Sequence, residues 1–310
     1  MKLLNNARRI RSWEVMLTVL VMALPWMPIN PIKGGYGFVE RAHAAQAPDL
    51  DTSRLVSIGG DITEIIYALG EEKRLIARDS TSIYPEAAKK LPDVGYMRAL
   101  SPEGILAVNP SAIIAVEGSG PPETLIVLRS ASVPFETVPQ SYDRDGILKK
   151  IRSVGALLGV ADKAGAVEAK VAADLDAAID ASAGRPENQR KRVLFVLSAQ
   201  GGKILASGTG TAADGIIKLA GALNAVGTFP GYKPLTDESI IEAKPDVILL
   251  MNGGGDHPVT NDQLLTQPAL ALTPAAHNKA IIRMDGLHLL GFGPRTASAV
   301  RELNAAVYGG

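Results

Sequence analysis

The chain has 310 residues, 46% of them hydrophobic, with 32 Lys/Arg balanced by 32 Asp/Glu. That length accommodates two domains with real cores, and the charge balance offers nucleic acid no basic tract. The absence of cysteine excludes disulfides, thiolate metal sites, cysteine nucleophiles and a lipid-bearing N-terminal cysteine.

Lys2, Arg8, Arg9 and Arg11 precede an apolar run at 15–27 that is too short to span a bilayer, and Ala42-His43-Ala44 has the pattern of a cleavage site. Residues 1–44 are therefore expected to be a signal peptide, cleaved near Ala44 or Ala47. The exported, unanchored remainder is expected in a periplasm, with 26 Lys/Arg against 30 Asp/Glu.

That remainder opens with a strand at 55–58, which Gly59-Gly60 turns into a helix containing Asp61 and Thr63 and ending at Gly70. A short strand at 75–77 leads into the polar loop Asp79-Ser80-Thr81-Ser82-Ile83-Tyr84-Pro85, and strand and helix alternate as far as Val138 in the α/β pattern. Residues 145–183 read as helical almost throughout: Ile147, Ile151, Val154, Leu157 and Leu158 keep helical spacing, and 161–183 is alanine-rich without proline. A strand from Val193 opens a second alternating stretch, which closes on a helix near 296–307.

Two segments carry the same pattern. Residues 95–115 read GYMRALSPEGILAVNPSAIIA and residues 231–250 read GYKPLTDESIIEAKPDVILL. Each predicts a helix with a capping box at Ser101 or Thr236, with Glu103 or Glu238 in its first turn, a stop at Asn109-Pro110 or Lys244-Pro245, and a buried strand beyond. A repeat so widely spaced implies two similar α/β lobes rather than a solenoid. The expected division is an N-terminal lobe at 53–142, a linking helical segment at 143–185 and a C-terminal lobe at 190–310, with a ligand cleft between the lobes. One long α-helix in place of a multi-stranded hinge predicts small relative motion.

Five segments resemble one family: Val56-Ser57-Ile58-Gly59-Gly60-x-x-Thr63-Glu64-Ile65; Asp79-Ser80-Thr81-Ser82-x-Tyr84-Pro85-Glu86-Ala87; the stretch from Leu91 to Gly104; Glu117-Gly118-x-Gly120-Pro121-Pro122; and Gly291-Phe292-Gly293-Pro294-Arg295-Thr296. They are similar to the periplasmic heme-binding proteins of bacterial ABC importers, substrate-binding proteins whose lobes are bridged by one long helix. The resemblance runs from Arg54 to the C-terminus. It implies heme b as transported ligand with no catalytic cofactor, a permease dimer with its ATPase subunits as partner, contact with the membrane only through that permease, and a monomer. It also implies that Tyr84 is the axial ligand of the heme iron, a role for which a hard anionic phenolate suits ferric iron.

Arg98, Tyr232 and Lys233 follow the two Gly-Tyr copies and are expected to face the cleft from opposite lobes. There Arg98 is a candidate for a heme propionate, and Tyr232 or Lys233 for supporting the phenolate. By the same resemblance Glu103 and Glu238, one per lobe, match glutamates that meet permease arginines; on local grounds alone they complement helix dipoles. The same scaffold carries cobalamin or ferric siderophores, against which Tyr84 in its Asp-Ser-Thr-Ser loop argues. His43 leaves with the signal peptide, and His257, His277 and His288 lack H-x-x-H or H-E-x-x-H spacing, so free zinc or manganese is not the expected cargo. His257 reads as a solvated loop residue, with second iron ligand as the alternative. A nucleotide-dependent enzyme on two α/β lobes would need a complete phosphate loop or a clustered acid/base set, and the sequence has neither, so no catalytic residue is assigned.

Overall fold

A computed structural model describes residues 50–252 and 259–309, so the expected signal peptide and His257 lie outside the described residues. The chain begins as β1 (Leu55–Ile58), α1 (Gly60–Ala68), β2 (Leu75–Arg78), α2 (Pro102–Leu106), β3 (Ala112–Val116), α3 (Pro122–Ser130) and β4 (Phe135–Val138). The four strands form an all-parallel sheet in the order β2-β1-β3-β4. β1 and β3 are buried along their whole length, as the central strands of a sheet covered on both faces must be. The β1–α1 turn needs two glycines for different reasons. Gly59 has φ +111, and a Cβ on Gly60 would lie 2.4 Å from Leu287 of the other lobe.

The helical stretch resolves into α4 (Arg144–Leu157) and α5 (Ala161–Ala183). It is therefore not one continuous helix: Gly159, at φ 70, ends the first and turns the chain into the second. Asp143 caps α4 by accepting from the Gly146 N–H at 2.7 Å. α5, with 23 residues or about 35 Å of rise, leads into the second lobe and packs against α4.

That lobe contains β5 (Arg192–Gln200), β6 (Lys203–Ser207), α6 (Ala212–Leu219), β7 (Leu223–Asn224), β8 (Tyr232–Pro234), α7 (Asp237–Ala243) and β9 (Val247–Met251). It continues as α8 (Asn261–Leu265), α9 (Pro268–Ala271), α10 (Pro274–His277), β10 (Ile281–Met284), α11 (Gly286–Leu290) and α12 (Thr296–Tyr308). Its sheet runs β10-β9-β5-β6-β8, with β7 also on β5. The β10, β9, β5 and β7 pairings are parallel, while β6 and β8 extend the sheet antiparallel. The β5–β6 hairpin turns at Gly201 and Gly202, at φ 59 and 76, the positive pair that a tight hairpin requires.

The repeated segments occupy matching places. Ser101 caps α2 by accepting from the Gly104 N–H at 3.3 Å, and Thr236 caps α7 by accepting from the Ser239 N–H at 3.3 Å. Neither completes the expected capping box. The Glu103 carboxylate instead accepts from the Ser101 hydroxyl at 2.7 Å, and the reciprocal box occurs at Thr260 and Gln263 of α8. Both copies turn left-handed just before their proline, Asn109 at φ 53 and Lys244 at φ 43.

One hydrophobic core runs through both lobes, joining Leu55 and Ile62 to Ile151 and Leu175 and on to Phe195, Ile216 and Leu303. Smaller clusters fill the outer side of each sheet. Among the described residues, no helix is long and apolar enough to cross a membrane.

Candidate functional site

The carboxyl ends of β1, β2 and β3 meet those of β5 and β9 across a cleft of about 430 Å³, within the range of small-molecule sites. Val116, Leu197, Met251, Leu287 and Leu290 give it apolar walls. Tyr96, Arg98, Tyr142 and Tyr232 supply polar groups.

The floor is held by a buried ion pair. Lys150 on α4 is fully buried, and its Nζ donates to Asp61 on α1 and to the Phe292 carbonyl at 3.2 Å. Phe292 is itself buried at φ 52, an uncommon backbone for a bulky residue. Tyr142 packs edge-on against its ring at a centroid distance of 5.3 Å.

The loop after β2 is organised around Asp79, which is fully buried. One carboxylate oxygen accepts from the Gly59 N–H at 2.9 Å and the Ser82 hydroxyl at 2.6 Å. The other accepts from the Thr81 N–H at 3.0 Å and the Thr81 hydroxyl at 2.6 Å. A hydroxyl chain through Ser82, Thr63 and Ser57 ties the loop to α1 and β1. The Asp-Ser-Thr-Ser segment is thus a rigid pedestal, and Tyr84 follows the cleft-lining Ile83 without itself belonging to the lining, with 44% of its surface exposed.

Arg295 of the other lobe lies over the Tyr84 ring, its guanidinium carbon 3.6 Å from the centroid. Glu64 receives both Nε and Nη2 of Arg295, at 3.0 and 2.5 Å. Burial pushes the Glu64 carboxyl up, with the Arg295 hydrogen bonds opposing that shift only in part. On Arg295, burial works against the charge but is outweighed by Glu64, which holds the guanidinium above its ordinary value.

Arg98 and Tyr232 come together across the cleft from opposite lobes. Burial pushes the Tyr232 hydroxyl up, partly offset by the Thr211 hydroxyl and by the positive charge of Arg98. Tyr142 is also pushed up by burial and feels the same arginine. Lys233 does not join them. β8 alternates its side chains, and the exposed Lys233 ammonium sits 5.3 Å over the Phe229 ring, outside the cleft lining. The Gly-Tyr repeat predicts that both neighbours face the ligand and assigns no role to Tyr96, Tyr142 or Lys150. Arg295 lies in the 291–296 segment that carries the family resemblance, but nothing local in the sequence connects it to Tyr84.

Away from the cleft, Glu103 and Glu238 occupy the same position, second in their helices, and both are exposed. The Ser101 hydroxyl and backbone N–H hold the Glu103 carboxyl below its ordinary value, and the backbone N–H and Thr236 do the same for Glu238. His277 is exposed at the end of α10. His288 is partly buried, between Arg295 at 3.2 Å and Glu302 at 3.2 Å.

Residues 55–286 match the family model of the periplasmic binding proteins. The chain is 40% identical to the periplasmic heme-binding protein RhuT from Roseiflexus sp. RS-1, with a TM-score of 0.78 over 83% of this chain and 98% of that one. It is 34% identical to the periplasmic heme-binding protein HutB of Vibrio cholerae, with a TM-score of 0.72 over 83% of this chain and 99% of that one. A vitamin B12-binding protein of Pectobacterium atrosepticum is 26% identical over 261 residues, 82% of this chain and 90% of that protein. With two α/β lobes, a cleft at the carboxyl ends of their strands and a family match over most of its length, the chain belongs to the periplasmic binding protein family.

Proposed function

We propose that this protein is the soluble substrate-binding component of an ABC importer, that it binds ferric heme in the interlobe cleft, and that it hands the heme to a permease. The observation that carries the reading is Tyr84, an exposed phenol on a buried carboxylate-organised pedestal, next in sequence to Ile83 in the lining of an apolar-walled cleft. As a phenolate it is an anionic oxygen ligand for ferric iron. The apolar walls receive the porphyrin faces, and Arg98 is the cation within the cleft for a propionate. Tyr232 closes the opposite wall. Lys233 is left out of the heme-contacting set because its ammonium lies over Phe229.

Two other features support transport. Glu103 and Glu238 present ionised carboxylates on separate lobes at equivalent helix positions, suited to a two-fold permease surface. The expected signal peptide, with cleavage near Ala44 or Ala47, supports a periplasmic location. The relatives that bind vitamin B12 make cobalamin the competing ligand on this scaffold. An axial phenolate favours heme, because ferric iron takes a hard oxygen donor.

Parallel titrations of the purified protein with hemin and with cyanocobalamin test the choice. Saturable hemin binding, unaffected by excess cyanocobalamin, is expected. Saturable cyanocobalamin binding that displaces hemin would overturn it.

A further inference from the structure

Three sequence segments far apart in the chain meet at Tyr84. Glu64 comes from α1, Tyr84 from the loop after β2, and Arg295 from the turn between α11 and α12 of the other lobe. Each of the three guanidinium nitrogens has a partner in its plane. Nε and Nη2 donate to the two Glu64 oxygens at 3.0 and 2.5 Å, and Nη1 meets His288 Nδ1 at 3.2 Å. Its guanidinium carbon lies 3.6 Å from the Tyr84 ring centroid, so the face is turned to the phenol.

Glu64 is 6% exposed, and a carboxylate so buried is a weak source of stability even when paired, because desolvation offsets most of the Coulombic gain. A bidentate pair does fix a plane, however, and an arginine pinned on its edge is preorganised for stacking in a way that a lysine is not. The phenol is the group that profits from that plane.

We propose that Glu64 and Arg295 are positioning residues for the iron ligand. Glu64 anchors Arg295, and Arg295 fixes the orientation of the Tyr84 ring and sets a permanent positive charge against the phenolate that iron ligation creates. The proposal rests on the heme reading and assigns the work of the pair to the ligand rather than to lobe adhesion.

The test compares hemin-loaded parent protein with Arg295→Gln, Arg295→Lys and Glu64→Gln, and with Arg301→Gln as a control at a surface arginine paired with Asp174. Three quantities are read: the energy of the phenolate-to-iron charge-transfer band, the rate of hemin loss to excess apomyoglobin, and the thermal midpoint. Arg295→Gln and Glu64→Gln are expected to shift the band and speed hemin loss by about tenfold, the scale of a partly exposed cation–π contact. Arg295→Lys restores charge without the fork, so it should recover part of the rate and leave the band displaced. Arg301→Gln should change neither.

Parental band and rate in folded Arg295→Gln and Glu64→Gln, with only the midpoint lowered, would make the pair a lobe latch and overturn the proposal. If Arg295→Gln does not fold, Arg295→Lys and Glu64→Gln decide the matter by the same two readouts. A parent protein without the band would overturn the heme reading itself, and the proposal with it.

Discussion

Lys150 offers the sharpest test of how the cleft floor is held. Its side chain is fully buried, and its ammonium serves Asp61 and the Phe292 carbonyl at once. Lys150→Met keeps an unbranched chain of similar length and deletes the charge. Asp61, only 6% exposed at its side chain, is then a buried carboxylate without a cation. The Phe292 carbonyl loses a donor at a residue whose φ of 52 already carries strain. Breaking a buried pair from one side costs about 3–5 kcal/mol, a fifth or more of the roughly 5–15 kcal/mol that holds an ordinary domain.

Neutralising the other partner reverses much of that loss, so Lys150→Met with Asp61→Asn should be more stable than Lys150→Met alone. Urea denaturation at neutral pH measures both, and because one core runs through both lobes a single transition is expected. A Lys150→Met unfolding free energy within about 1 kcal/mol of the parent would refute the reasoning. So would a double variant whose loss is the plain sum of the two single losses.

The other predictions concern motion, docking and acid stability. The shared core and the stiff α5 imply small closure, so small-angle scattering should show the radius of gyration changing by less than about 1 Å on hemin binding; marked compaction would contradict this. Glu103→Gln with Glu238→Gln should bind hemin like the parent yet fail to stimulate the reconstituted transporter's ATPase at low protein concentration, and normal stimulation would return both residues to helix capping. At Asp214 burial favours the protonated form but is outweighed by hydrogen bonds from Lys218, Asn224 and the Gly210 N–H, which hold the carboxyl below its ordinary 3.8. Its contribution is therefore fully present above that value and is lost as pH falls through the lowered one. Asp214→Asn should cost about 1–3 kcal/mol at neutral pH, with the gap to the parent narrowing in acid; a gap that stays constant would argue against the linkage.

Much of the architecture was legible because local chemistry punctuates it. Ser101, Thr236 and the two X-Pro stops mark equivalent helices in both lobes, and the uninterrupted apolar runs Ala112–Val116 and Val247–Met251 mark central parallel strands. The break at Gly159 was hidden because a lone glycine inside a helical pattern is a weak stop signal. The antiparallel β6 and β8 escaped because their pairing depends on the Gly201-Gly202 hairpin and on partners distant in sequence.

At the site, the period-2 alternation of a three-residue strand decides that Tyr232 faces the cleft and Lys233 does not, and a Gly-Tyr-Lys string carries no sign of which way it points. Glu64 and Arg295 are 231 residues apart, so no periodicity or cap joins them, although each stood in a segment that carried the family resemblance. Lys150 lies between Ile147 and Ile151 on the buried face of α4, a placement that its partners Asp61 and the Phe292 carbonyl explain.

The measurement that tests the central claim most directly is the absorbance spectrum of hemin-saturated Tyr84→Phe beside that of the parent. The substitution keeps the ring beneath Arg295 and removes only the oxygen. Heme ligated by Tyr84 predicts a phenolate-to-iron charge-transfer band in the parent, its loss in the variant, and faster hemin release from a protein of parental thermal stability. An unchanged spectrum in Tyr84→Phe would contradict the account.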